Sequence, residues 1–225
     1  MQFDSHSIDS PQQGLHPRLD DYLVKHLECP YQKPIQAHNL AAFEQFQTSI
    51  QAHGASSLIL DSCCGTGLST RALAKQHPDS LVIGVDRSIK RLNTQSLDAE
   101  ALPANVLLLQ ANCEDIWRLC VQEKLSFDKH CILYPNPYPK SEHLKRRWHG
   151  HPVFPVLGQL APITELRSNW PLYLEEFQHC WQKLKQGKTQ LFELDVQEPL
   201  TLFERKYHLS GQKLYQLLCE SSHEF

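Results

Sequence analysis

Residues 57–67 read SLILDSCCGTG, and residues 81–86 read LVIGVD. Each is a short apolar run that closes on an acid, Asp61 in the first and Asp86 in the second. The first leads straight into a turn of small residues. An apolar run of this length bounded by turn signals suits a strand covered on both faces, as in a parallel sheet. Residues 68–77 follow the glycines with helical spacing, and Pro78 ends that helix. Strand, glycine turn, helix and strand form the unit that decides the fold.

The same alternation continues downstream. Residues 87–97 can form a helix, 105–111 (NVLLLQA) a third strand, 113–124 a helix and 127–134 (FDKHCILY) a fourth strand. Residues 170–184 are amphipathic, with Pro171 in the first turn and Gly187 as the stop signal, and 188–194 (KTQLFEL) reads as a fifth strand ending at Asp195. Residues 135–158 are rich in Pro, His and basic residues and read as loop with one short helix. The tail, 200–220, has mixed periodicity and receives no assignment. Upstream, 1–17 reads as a loose polar arm, while 18–29 and 38–53 have helical spacing, the latter stopped by Gly54. The expectation is an α/β protein with a doubly wound, mostly parallel sheet and an N-terminal helical extension. Its organisation would be an arm and helices over 1–54 and the α/β domain over 55–225.

Composition narrows the function classes. The 225 residues carry a formal net charge of −3, so any nucleic-acid contact must use a local patch rather than the whole surface. No apolar run approaches the roughly 18 residues of a membrane helix. The first residues have no basic stretch followed by an apolar one, so a cytoplasmic location without membrane attachment is expected. Eight cysteines form no CxxC pair, which speaks against a metal site and for free thiols near the core. Cys63 and Cys64 suit a crowded turn as small side chains. Phe43, Phe46, Trp117, Phe177 and Trp181 sit at helical spacing and read as core.

The chemistry concentrates in two motifs. At the turn after strand one, glycines let a ligand approach the backbone, and the helix N-terminus offers free N–H groups. Asp86 stands where a carboxylate can accept both hydroxyls of a ribose. Dinucleotide sites prefer G-x-G-x-x-G, but the third position here is Thr70 and an acid precedes the glycines. The pattern resembles motif I, D/E-x-x-x-G-x-G, of class I methyltransferases that use S-adenosylmethionine (SAM), whose fold is Rossmann-like. The resemblance implies that Asp61 lies near the methionine amino group, that Gly65 and Gly67 line the loop, that Asp86 holds the ribose, and that Asn112 and Cys113 meet the adenine.

The second motif is YPNPYPK at 134–140, followed by SEHLKRRW at 141–148. Prolines on both sides of Asn136 restrict the backbone where strand four reaches the crevice mouth. This segment resembles the F-P-D-P-W-x-K and R-H-x-K-R-R motifs of the tRNA (guanine-N7)-methyltransferase family, through Pro135, Asn136, Pro137, Tyr138, Lys140, His143, Lys145, Arg146 and Arg147. Thr201–Arg205 resembles that family's T-K-F-E segment. The resemblance implies methyl transfer from SAM to guanine N7 of tRNA, with Asn136 at the catalytic position. Lys140, Asp195, Thr201 and Glu204 would grip the base, and Lys145, Arg146 and Arg147 would meet RNA phosphates, with Trp148 free to stack on a base. Three positions depart from the family: Asn136 and Asn112 replace acids, and Leu202 replaces Lys. The Asn-Pro-Tyr order also resembles the N-P-P-Y loop of enzymes that methylate planar amino groups. A methyltransferase of other specificity and a non-catalytic SAM- or RNA-binding relative therefore stay open, as do monomer and homodimer.

Overall fold

Strand β1 (Ser57–Ser62) lies inside a seven-stranded sheet ordered β3-β2-β1-β4-β5-β7-β6. The structure, a computed structural model, describes residues 7–94 and 101–225. Parallel pairing joins β1 to β2 (Ser80–Asp86) and to β4 (Lys129–Leu133), β2 to β3 (Val106–Gln110), and β4 to β5 (Ile163–Ser168). Then β7 (Tyr215–Glu220) inserts antiparallel between β5 and β6 (Thr189–Glu193). All seven residues of β2 are buried, as its near-continuous apolar sequence requires of a strand covered on both faces. Strand order reverses between β1 and β4, which opens a crevice beyond their C-terminal ends.

The helices are α1 (Leu19–Glu28), α2 (Ala37–His53), α3 (Leu68–Gln76), α4 (Ile89–Thr94), α5 (Cys113–Gln122), α6 (Pro171–Lys183) and α7 (Leu202–Leu209). Three short 3-10 helices, Ser141–Arg146, Trp148–Gly150 and Phe154–Gln159, fold the segment expected to hold one. The expected helix over 87–97 is α4 as far as Thr94, and its last residues lie outside the described ones. Leu19, Leu23, Phe43 and Phe46 share one core cluster with Trp117, Phe177 and Trp181, so the N-terminal helices complete the sheet's cover. Residues 10–16 are tied to the α/β part by hydrogen bonds to Pro139 and Glu176.

Three readings are corrected. The fifth strand in the chain is Ile163–Ser168, so the run ending near Asp195 is the sixth. The unassigned tail supplies α7 and β7. Gly187 is not the stop of α6, because Lys185 already takes the left-handed turn at φ 53. A Cβ at Gly187 would collide with the Glu220 carbonyl, so close passage of the chain after β7 requires the glycine.

Candidate active site

A cleft of about 1020 Å³ opens at the reversal point. One wall is the β1–α3 turn with the tips of β2 and β3, contributing Cys63, Gly65, Thr66, Asp86, Asn112 and Cys113. The other is the loop after β4, Tyr134–Tyr138, with Lys145, Arg146 and Trp148; Thr201, Phe203, Lys206 and Tyr207 close the mouth.

Asp61 lies beneath the first wall and is fully buried. Its Oδ2 accepts hydrogen bonds from Ser69 (2.6 Å) and Thr70 (2.7 Å), while Oδ1 has no partner among the described residues. Burial pushes its carboxyl up to about 6 against the pull of those two hydroxyls. Gly65 has φ 62, and a Cβ there would meet nothing within 4 Å, so the turn presents bare backbone to the cleft. Gly67 stands behind the lining: a Cβ there would press on Leu108 Cδ2 at 2.9 Å, so this glycine lets α3 start close against β3. The Asp86 carboxylate accepts from the Gly65 N–H (3.0 Å) and the Ser88 N–H (2.8 Å), and Arg91 stands 3.2 Å away. With about four acceptor sites on a carboxylate, one lone pair is left for a ligand hydroxyl unless Arg91 withdraws. The Asn112 N–H donates to Asn39 Oδ1 (3.0 Å), and Asn39 Nδ2 donates to Asp115 (2.6 Å), so α2 pins the β3–α5 corner. Sequence reading missed Asn39, a polar residue inside an amphipathic helix whose burial emerges only from packing.

The second wall is conformationally strained. Tyr134 and Tyr138 take left-handed φ values of 51 and 46, uncommon for aromatic residues and costing on the order of 1–3 kcal/mol each. Asn136 is exposed on the wall, with its Oδ1 3.4 Å from the Tyr138 N–H. The Arg146 guanidinium lies 5.8 Å from the Tyr138 ring centroid. At the mouth, Phe203 is 52% exposed and stacks on Tyr207, which in turn leans on Tyr134.

Several residues lie elsewhere than the motifs suggested. Arg147 is not on the surface: it is 0% exposed and pairs with Glu176 at 2.6 Å, so it cannot meet RNA phosphate. Glu204 is not free to grip a base, for its carboxylate accepts from Tyr134 Oη (3.1 Å), Arg167 (2.8 Å) and the Leu200 N–H. The T-x-x-E spacing that suggested substrate contact is also a helix-capping signature. Thr201 Oγ1 indeed accepts the Glu204 N–H at 2.9 Å and caps α7. Lys140 and Asp195 are exposed but outside the cleft lining, and Asp195 accepts from Gln197. Asn136, Asp86, Gly65, Asn112, Cys113, Thr201, Lys145 and Arg146 do share the cleft. Lys206 and Tyr207 were missed, although their spacing from Phe203 puts all three on one side of a short helix.

Residues 55–217 match the family model described as "Putative methyltransferase". The chain is 27% identical to a tRNA (guanine-N(7)-)-methyltransferase of Mycobacterium tuberculosis over 72% of its own length and 65% of that relative's. It is 32% identical to the ribosomal RNA small subunit methyltransferase B of Shewanella oneidensis over 66% of this chain and 32% of that one. The fold is that of the 16S rRNA methyltransferase KamB, with a TM-score of 0.58 at 18% identity, covering 85% of this chain and 96% of that one.

Proposed function

The chain belongs to this methyltransferase family, and on that premise we propose that it transfers a methyl group from SAM to a base nitrogen in RNA, with guanine N7 of tRNA as the target. The observation that carries the proposal is that one cleft joins an acid–glycine turn to a proline-rich loop with a basic, aromatic mouth. SAM, when bound, supplies an electrophilic methyl on a sulfonium. The residues present fit it. Asp61, buried beneath the cleft lining, keeps a carboxylate oxygen with no partner among the described residues, free to take a cationic amine that settles into the Cys63–Gly65 turn. Gly65 leaves open backbone. Asp86 stands at the tip of β2, where a ribose hydroxyl can donate to it. Asn112 and Cys113 form the far end, suited to the adenine.

Guanine N7 has no proton to lose, so the site needs no general base. It needs alignment with the methyl and stabilisation of a ring that becomes cationic. Asn136, on the loop facing the turn, is the residue of this chain best placed for that. Its amide oxygen stabilises the cation less than a carboxylate would. Thr201 and Tyr138 can frame the base, and Lys145, Arg146 and Lys206 can neutralise phosphates at the mouth. The neutral amide at 136 also favours a second reading. An exocyclic amino group could donate to Asn136 Oδ1 before attack, as in the N-P-P-Y enzymes.

Incubation with methyl-labelled SAM and either unmodified bulk tRNA or unmodified ribosomal RNA, then digestion to nucleosides, tests both. Label in N7-methylguanosine supports the first reading. Label in an N-methylated amino nucleoside replaces it with the second. SAM binding without label in tRNA or ribosomal RNA removes RNA methylation altogether and leaves a binder or a small-molecule enzyme.

A further inference from the structure

The loop Tyr134–Lys140 has little to hold it from within beyond the long Tyr138 N–H to Asn136 Oδ1 contact. Pro135, Pro137 and Pro139 supply no N–H donors, and two of its tyrosines are in left-handed conformations. Its exit is gripped from outside at three successive carbonyls. Arg147 Nε donates to the Tyr138 carbonyl (3.1 Å), Ser10 Oγ to the Pro139 carbonyl (2.8 Å), and the second Arg147 nitrogen to the Lys140 carbonyl (3.4 Å). The guanidinium is itself held. It donates to Glu176 (2.6 Å) on α6 and to Gln12 Oε1 (3.0 Å), and lies over the Trp170 ring at 4.9 Å. Gln12 Nε2 and the His16 N–H donate in turn to Glu176 Oε1, at 2.6 and 2.8 Å. His149 Nε2 contacts the other Glu176 oxygen at 2.8 Å.

We propose that residues 10–16 are a strap for this loop, and that Ser10 and Gln12, with Arg147 and Glu176, are positioning residues for the methyl transfer proposed above. Arg147 is the hub: one buried cation spans two loop carbonyls, an anion on the scaffold and an amide on the strap. Ser10 takes the carbonyl that Arg147 leaves between its two. The strap thereby connects the wall carrying Asn136 to α6, an element that does not line the cleft. Its consequence lies in geometry, since a shift of about 1 Å at a reacting pair can cost on the order of 100-fold in rate.

The role of the strap in the reaction rests on the methyltransferase reading; its grip on the loop does not. The test therefore uses the full chain and two readouts. Ser10→Ala/Gln12→Ala lies outside the hydrophobic core and spares the buried pair. In that variant, amide hydrogen exchange across residues 136–146 should speed at least tenfold, with β1 and β2 unchanged. With tRNA, kcat should fall at least tenfold while the KM for SAM stays within twofold, and Ser10→Thr, which keeps the hydroxyl, should hold the wild-type rate. Unchanged exchange in the loop overturns the strap whatever the activity. A wild-type rate in the double variant overturns its part in the reaction. A parallel loss of SAM affinity, kcat and thermal stability reduces it to general packing. If the wild type methylates no RNA, the functional reading fails, and exchange still decides the strap.

Discussion

At Asp61 the position of one proton links stability to ligand binding. Burial raises its carboxyl from 3.8 to about 6. Between those values the folded protein holds the proton that the unfolded chain releases. Its contribution to stability therefore declines as pH rises through that window, by about 3 kcal/mol in all. A cationic amine at Oδ1 reverses the preference, because it requires the carboxylate. Affinity for SAM should rise as pH climbs from 5 to 7 and level off above. Calorimetric titration at several pH values reads this, and a flat affinity would remove Asp61 from the site. Asp61→Asn should abolish the dependence and weaken binding by roughly ten- to a hundredfold, the worth of a charge-assisted hydrogen bond. Asn136 permits the converse change. Asn136→Asp puts a negative charge beside the ring that becomes cationic, and should raise kcat on guanine about tenfold, the difference between a neutral and a charged partner. A slower enzyme, with label moving away from guanosine, would favour the amino-group reading.

Helix α7 shows why elements differed in how readily they could be read. β1, β2 and β4 announce themselves as apolar runs because both faces are covered, and Asp61 and Asp86 mark the crevice. β5 was missed because ITELRS is neither a continuous apolar run nor a strict alternation. Glu165 is buried at its centre because Lys129 of β4 and Arg167 of β5 neutralise it, a compensation that spans two strands far apart in the chain. The T-x-x-E of α7 was visible as a motif, but its partners were not: those of Glu204 come from the loop after β4 and from β5. Arg147 sat in a basic run whose neighbours Lys145 and Arg146 do face outward, and sequence cannot tell which cation in a run turns inward to a distant Glu176. Since Glu204 ties α7 to the sheet, Glu204→Gln should leave Arg167 with Glu165 as its remaining carboxylate and cost about 1–3 kcal/mol, read as a lower urea midpoint. A loss of RNA affinity with stability intact would instead return Glu204 to the substrate.

Over the whole molecule, charge opposes the proposed partner: a net −3 repels a polyanion from most approaches. The cations at the cleft mouth, Lys145, Arg146 and Lys206, are exposed, whereas Arg91 is matched by Asp86 and Arg147 by Glu176. The former group can displace counterions from phosphates. Each phosphate neutralised contributes about 0.7–0.9 to the slope of log affinity against log salt, so three give a slope near −2 to −3, shallow for an RNA-binding protein. Lys145→Ala/Arg146→Ala should flatten it by about 1.4–1.8 and weaken binding alike for all RNA sequences, with the fold intact. Arg147→Ala in the same run should behave oppositely. It strips the buried Glu176 of its guanidinium counter-charge, so the loss appears as a fall of about 3–5 kcal/mol in stability before any change in salt slope. Filter binding of tRNA across salt concentrations, paired with denaturant melts, separates the two. A wild-type slope steeper than about −5 would mean that RNA engages a surface well beyond the cleft mouth. A flat slope would mean that the ligand of this cleft is not a polyanion, and would turn the search toward a small methyl acceptor.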